Sequence, residues 1–168
     1  GESDKRGTTI RWFADNTIFT ETTTYNFDVL ANRLRELAFL NSGITIVLRD
    51  ERLTTPKEIT FSFEGGIKHF VTYLNENKNV LHPEPVYICG ERDEVIVECA
   101  LQYNDSFSEI MFSFVNDINT REGGTHLVGF KSALTRVRNE FLKNSKLSKK
   151  MEETLAGDDV REGLPASL

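Results

Sequence analysis

The stretch from Asn116 to Arg136, NDINTREGGTHLVGFKSALTR, constrains the fold more than any other part of this chain. It reads as the end of a strand (Ser113 to Asp117), a glycine-hinged turn (Thr120 to Gly124) and a long amphipathic helix. Adjacent Gly123 and Gly124 reach backbone angles closed to other residues, so the chain can reverse sharply there. Thr125 is placed to cap the helix, because its hydroxyl can take an orphan amide of the first turn. Leu127, Phe130, Leu134, Val137 and Phe141 follow at spacings of three, four, three and four. That spacing predicts one buried helical face between Thr125 and about Lys143.

Such a helix needs a sheet to cover, and the residues before it supply one. Val86 to Cys89, Val95 to Tyr103 and Glu109 to Val115 read as strands. Short turns at Gly90 to Asp93 and Asn104 to Ser108 predict an antiparallel meander. In the middle strand Val95, Val97, Cys99, Leu101 and Tyr103 line one face, with Glu98, Gln102 and Asn104 on the other. Upstream, His82-Pro83-Glu84-Pro85 excludes regular structure, since two prolines fix φ. Ile59, Phe61 and Phe63 alternate as a strand, and Glu64-Gly65-Gly66 turns into a helix with Ile67, Phe70, Val71 and Leu74 inside.

The first third repeats the alternation of helix and strand. Asn26 caps a helix in which Phe27, Leu30, Leu34, Leu37 and Leu40 share a face, and Gly43 suits the left-handed position after its end. Ile44 to Leu48 reads as a buried strand, and Thr54 to Glu58, with Pro56, as a connector at a domain boundary. Thr8 to Phe13 is β-prone, so the chain is expected to begin inside a sheet, before a polar turn-rich stretch from Ala14 to Thr24. At the other end, Gly157-Asp158-Asp159 opens a further helix whose first turn favours Asp159.

Composition narrows the class. Hydrophobic content of 39% and charge content of 27% fit a soluble globular chain. A formal charge of −6 argues against a surface that wraps duplex DNA unaided, which takes clustered Lys and Arg. No apolar run approaches the roughly 18 residues of a membrane span, so a cytoplasmic-type protein is expected. Cys89 and Cys99 lack metal-site spacing and read as buried reduced thiols.

Catalytic chemistry finds little support. His126 has no Ser, Cys or metal-ligand cluster that spacing pairs with it, and His69 and His82 have less. Gly65-Gly66 and Gly123-Gly124 lack the GxxxxGKS and GxGxxG forms, so tight turns are the stronger reading. The run from Lys143 to Lys150 reads as a solvated helix end. Lys131 and Arg138, seven apart, share nearly the same side of the long helix.

Five blocks in order carry a family resemblance: GTTIRWFAD (Gly7 to Asp15), RLRELAFLNSGI (Arg33 to Ile44), FEGGIKHFVTYLN (Phe63 to Asn75), the Asn116 to Arg136 stretch, and GDDVREGL (Gly157 to Leu164). Together they resemble the gyrase B family of type II DNA topoisomerases, which carry a GHKL-type ATPase domain. Asn119-Thr120 with EGGTH, and GFKSALTR, are closer to that family than to the B-type subunits of topoisomerase IV.

The resemblance implies an α+β fold. Residues 1–53 are expected to be the C-terminal part of a GHKL ATPase α/β sandwich and 54–58 a connector. Residues 59–168 are expected to form a two-layer transducer domain with a left-handed βαβ crossover, as in a ribosomal-protein domain, truncated at its C-terminal end. It implies, for a whole protein, ATP and Mg²⁺ as cofactors, duplex DNA and the gyrase A subunit in an A2B2 heterotetramer as partners, and ATP-dependent dimerisation of two B chains. No membrane is involved. Gly7 and Thr8 match the adenine pocket, where the family's threonine bonds through an ordered water. Lys131, and with it Arg138, match the face turned to the DNA cavity; the residues alone equally allow a solvated helix face. The family's upstream ATP-site motifs have no counterpart in the chain. Pro165-Ala166-Ser167-Leu168 departs from the usual continuation into another strand and a lysine loop. A partial sequence without catalytic residues or metal ligands is therefore expected, binding no cofactor by itself. The competing reading is a non-catalytic interaction module of the same fold.

Overall fold

A computed structural model describes residues 6–145 and 154–168. The first helix, α1 (Phe27–Leu40), starts where its cap predicts: the Asn26 side chain accepts from the amides of Asp28 at 2.9 Å and Val29 at 3.1 Å. Ala31, Ala38 and Phe39 are its buried residues. The chain then forms a hairpin of β1 (Thr45–Asp50) and β2 (Lys57–Ser62), paired antiparallel from Thr45↔Ser62 to Asp50↔Lys57. Lys57 and Glu58 of the expected connector thus belong to a strand. Leu48 and Phe61 of this hairpin share one core cluster with Ala31 and Ala38 of α1.

Helix α2 (Gly66–Leu74) follows, with Ile67, Phe70 and Val71 buried as its spacing predicts. Its start docks on the end of α1, where the Ser42 hydroxyl donates to the Glu64 carbonyl. Aromatic rings continue the contact inward. Phe39 of α1 stacks on Phe63 at 3.7 Å and on Phe70 at 5.1 Å, and Phe70 in turn meets Phe112 at 5.0 Å and Phe114 at 6.4 Å. Each such pair adds about 0.5–1.5 kcal/mol beyond the area it buries.

The main sheet departs from the expected meander. Strands β3 (Val86–Arg92) and β4 (Val95–Leu101) form a hairpin, and its turn is Asp93-Glu94, both at positive φ; Gly90 lies within β3. The next strand, β5 (Ile110–Phe112), does not pair with β4. A short strand near the C-terminus, β8 (Pro165–Ser167), lies between them, giving the order β3-β4-β8-β5. It runs antiparallel to β4 and parallel to β5. Proline is tolerated there because it is the first residue of the strand, where no ladder amide is needed. Pro165, Ala166 and Ser167 are all buried.

Between β5 and β8 the chain makes a small hairpin of β6 (Phe114–Val115) and β7 (Ile118–Asn119), then α3 (Thr125–Asn144) and α4 (Gly157–Arg161). Asn116 and Asp117 are therefore a two-residue turn at φ +47° and +67°, not the end of a strand. Thr125 does not cap α3. It is already helical, and the N-cap is Gly124, whose carbonyl takes the Val128 amide at 3.1 Å. Phe130 and Leu134 pack on Cys99, Leu101, Leu164 and Ala166, but Val137 and Phe141 are 56% and 65% exposed. The sheet has ended before the helix does, so the second half of the predicted stripe is left uncovered by the described residues. Helix α4 begins as its acidic first turn predicts, with Asp159 accepting the Ala156 amide at 2.9 Å.

Alternation along β4 sends Ala100 toward Ile67 and Val71 of α2, and Cys99 and Leu101 toward α3. Val95 and Val97, expected on the buried face, are 60% and 54% exposed, because β8 reaches only Ala100 and Leu101 and no helix of the described residues covers the outer hairpin. Cys89 is exposed and Cys99 buried, which corrects the reading of two buried thiols. Ile88 faces Cys99 across the ladder and Cys89 faces Glu98, so the two sulfurs point to opposite faces. Burial pushes the Cys99 thiol up to about 11.

Two devices lock β4 and β8 in place. Asn75, Gln102 and Asn104 form a buried amide chain: Asn75 Nδ2 donates to Gln102 Oε1 at 3.0 Å and Asn104 Nδ2 to Asn75 Oδ1 at 2.7 Å. Gly163 sits at φ +65° with its carbonyl accepting from Asn104, and a side chain there would collide with the Asn104 carbonyl oxygen. The Thr8 to Phe13 segment forms no strand among the described residues, and Ile10 and Phe13 are 72% and 83% exposed. Its β-prone composition finds no neighbouring strand, and a ladder cannot form without one. No helix of the described residues is long and apolar enough to cross a membrane.

Candidate functional site

The charged rim where α3, α4 and β5 meet is the most organised polar cluster of the described residues. Glu109, at the head of β5, accepts from two cations at once. Lys131 Nζ lies 2.6 Å from Oε1, and Arg161 Nε lies 2.8 Å from Oε2. Arg161 also reaches Asp158 at 2.6 Å through Nη2. Burial by itself would raise the Glu109 carboxyl, but the hydrogen bonds and charges of Lys131 and Arg161 outweigh it and hold it below its ordinary range. Lys131, which the sequence offers as a cation for DNA, is thus joined to a carboxylate of its own domain, with a third of its side chain exposed.

Arg138 lies two turns further along α3 and is placed differently. Its guanidinium carbon sits 4.8 Å from the centre of the Tyr103 ring, a cation–π arrangement. Tyr103 is itself fixed, donating its hydroxyl to the Val160 carbonyl at 2.7 Å. Tyr103, Ser106, Arg138, Asp159 and Val160 contribute to the wall of an open cavity of about 380 Å³. The structure does not bring Lys131 and Arg138 to one point: one is tied to β5 and the other to the end of β4. Both remain on the rim of the helix, and Arg136 is exposed on another side of it.

Gly7 and Thr8 lie in the N-terminal segment, exposed, and a side chain added at Gly7 would meet nothing within 4 Å. That segment is tethered further along, where Arg11 pairs with Glu51 of the β1–β2 turn at 3.1 Å and Trp12 meets Tyr25 edge-on at 6.1 Å.

The three histidines have structural partners. His126 Nε2 is 3.3 Å from the Thr120 hydroxyl, His69 Nδ1 accepts the Gly65 amide at 3.2 Å, and His82 Nε2 accepts the Tyr103 amide at 3.0 Å. Because Nε2 of His82 accepts, its Nδ1 carries the proton and donates to the Glu84 carbonyl at 2.7 Å. Among the described residues no group of three or more His, Cys, Asp or Glu side chains is arranged to hold a metal. The lysine run from 143 to 150 lies mostly outside the described residues; Lys143 itself is exposed in the last turn of α3.

Sequence reasoning missed Glu109 as the partner of Lys131, Arg161 as the second cation on that carboxylate, and Arg33 as a long-range donor. Arg161 stands inside the GDDVREGL block, but nothing in the sequence joins it to a residue 52 positions earlier.

A family model described as DNA gyrase B matches residues 66–168. The chain is 66% identical to the DNA gyrase B protein of Treponema denticola over 99% of its own length and 26% of that protein. It is 64% identical to the DNA gyrase B protein of Treponema pallidum, over all of this chain and 27% of that protein. Among solved structures, the 43K ATPase domain of Thermus thermophilus gyrase B in complex with an aminocoumarin superposes with a TM-score of 0.76. That match is at 35% identity, over 91% of this chain and 41% of the other. The chain therefore spans about a quarter of the length of the two Treponema relatives.

Proposed function

The chain belongs to the DNA gyrase B family, and we propose that it is the segment of an ATP-dependent type II topoisomerase that couples nucleotide binding to DNA strand passage and negative supercoiling. The observation that carries this reading is the continuous aromatic packing from α1 through α2 to β5 and β6, joining Phe63, Phe39, Phe70, Phe112 and Phe114. A relay needs elements that move as one body, and packed rings resist deformation. We place the end of the ATPase-type domain at residues 1–53 and the transducer at 59–168, with the β1–β2 hairpin crossing the join; the family match, which begins at residue 66, lies wholly within the second part.

In this reading ATP and Mg²⁺ are cofactors of the whole gyrase B protein, with Gly7 and Thr8 at the edge of the adenine pocket. Phosphoryl transfer needs metal, water and charge stabilisation gathered in one place, so the 168 residues alone are expected to turn over no ATP. The partners are the gyrase A subunit in an A2B2 assembly, a second gyrase B chain recruited by ATP, and duplex DNA. Lys131 and Arg138 face the transported duplex and attract its phosphates without reading sequence. Exposure at the rim of α3 supports that role, and the Glu109 contact limits it for Lys131.

The test is to place this segment in a full-length gyrase B protein and assay it with gyrase A. ATP turnover and supercoiling are expected. A complete protein that binds nucleotide but never supercoils DNA would overturn the reading. For the rim, K131Q and R138Q together should weaken duplex binding by the full-length protein and flatten its salt dependence, by a slope of up to about two.

A further inference from the structure

The small β6–β7 hairpin is held from two directions. At its base Phe114 meets Phe70 at 6.4 Å. At its tip the Arg33 guanidinium of α1 donates through Nη2 to the Asp117 carbonyl at 2.7 Å. Glu36, one turn along α1, accepts from Nη1 of the same guanidinium at 3.0 Å and so fixes its plane. The stem is held further by the Phe114 amide, which donates to the Leu168 carbonyl at 2.9 Å, whereas nearer the tip Val115 and Ile118 are 51% and 68% exposed. A charge-assisted bond to a turn carbonyl is therefore a large share of what positions the tip.

From that tip a short chain of contacts reaches α3. The strands of the hairpin converge on Ser113 and Thr120, whose hydroxyls are 2.6 Å apart, and the Thr120 amide donates to the Ser113 carbonyl at 2.8 Å. The Thr120 hydroxyl also meets His126, the second residue of α3. Five residues on, α3 carries Lys131 and its ion pair. Helix α1 and the first turn of α3 are thus joined through one two-residue turn, by a contact that spans 84 positions of the chain.

We propose that Arg33 is a positioning residue: it latches the Asn116-Asp117 turn to α1 and so transmits movement of α1 to the N-terminal end of α3. This rests on the relay reading above and names the contact through which the relay acts. Spatial continuity alone does not establish coupling, so the test must measure coupling directly.

Two measurements decide it. In the 168-residue chain, R33M keeps the packing of the stem and removes the donor. Amide exchange at Ile118 to Thr120 should rise about tenfold, the unfolding equilibrium should shift by no more than the same factor, and the helix content of α1 should be retained. In the full-length gyrase B protein assembled with gyrase A, R33M should retain ATP hydrolysis but complete about five- to tenfold fewer strand passages per ATP. R33K, which keeps a donor, should recover part of that loss. Unchanged exchange at the hairpin overturns the latch. Hydrolysis and passage falling together overturn the positioning role, since that pattern marks a general loss of structure. An unsubstituted full-length protein without ATP-driven passage overturns the functional reading and the relay with it, while the exchange measurement still judges the latch in the chain itself.

Discussion

Helix α2 has nine residues and buries three; α3 has twenty and buries none. The shorter helix is wrapped by α1, β4 and β8, and its Phe70 belongs to the aromatic run that starts at Phe39 and Phe63. The longer one spans about 30 Å, yet among the described residues it packs on the core of the sheet through the half-buried Phe130 and Leu134. Polar ties add to its attachment: His126 to Thr120, Lys131 to Glu109, Arg138 over the Tyr103 ring, and Asn139 to both the amide and the carbonyl of Leu155. Length and periodicity therefore do not decide which helix anchors a fold. Helix α2 is fixed by apolar contact on several sides, whereas α3 is a long arm pinned along one edge with an open outer surface.

Breaking the anchor should cost most. Phe39 is 1% exposed and stacked on two rings, so F39A should destabilise the chain by about 3–5 kcal/mol, read from urea unfolding. A loss below about 1 kcal/mol would mean that the aromatic run is not the anchor. Next comes the joint where α4 meets β8. G163A drives a methyl into the Asn104 carbonyl oxygen at a φ of +65°, and about 1–3 kcal/mol should be lost.

The pins of α3 should matter less. Glu109 has a carboxyl held below its ordinary value of 4.5. A depressed carboxyl contributes fully above that value, and the contribution disappears as pH falls through its folded-state pKa. E109Q should therefore lose about 0.5–1 kcal/mol at neutral pH and show a shallower acid limb than the parent. Parallel acid limbs would remove the triad from the account of α3. The smallest effect is expected at Phe141, 65% exposed: F141S should change stability by no more than about 0.5 kcal/mol. A larger loss would show that the outer stripe of α3 is packed in solution, and the contrast between the helices would narrow.

Much of this architecture is legible in the residues. The Asn26 cap, the stop at Gly43, the buried face of α2 and the β3–β4 hairpin all follow from local chemistry: side-chain capping, positive φ and apolar spacing. What was not legible is non-local. Pro-Ala-Ser has no strand signature, and it becomes a strand only because β4 and β5 leave a slot between them. Thr8 to Phe13 carries the opposite lesson, since β-prone residues without a partner remain unpaired. At the rim, Lys131 stood out by resemblance, but its partner Glu109 and the Arg161 that shares that carboxylate lie on separate elements, and only the fold brings them together.

The position of β8 also bears on how the chain is made. The strand between β4 and β5 is synthesised after both, and after the whole of α3 and α4. On a ribosome, α1, the β1–β2 hairpin and α2 emerge first and can pack with one another, while β4 and β5 wait with open edges for residues 165–167. Contacts of such separation in sequence form slowly, and waiting edges are where association with other nascent chains begins. A slow-translating or stalled message would therefore leave the edges of β4 and β5 open to aggregation until residues 165–167 arrive.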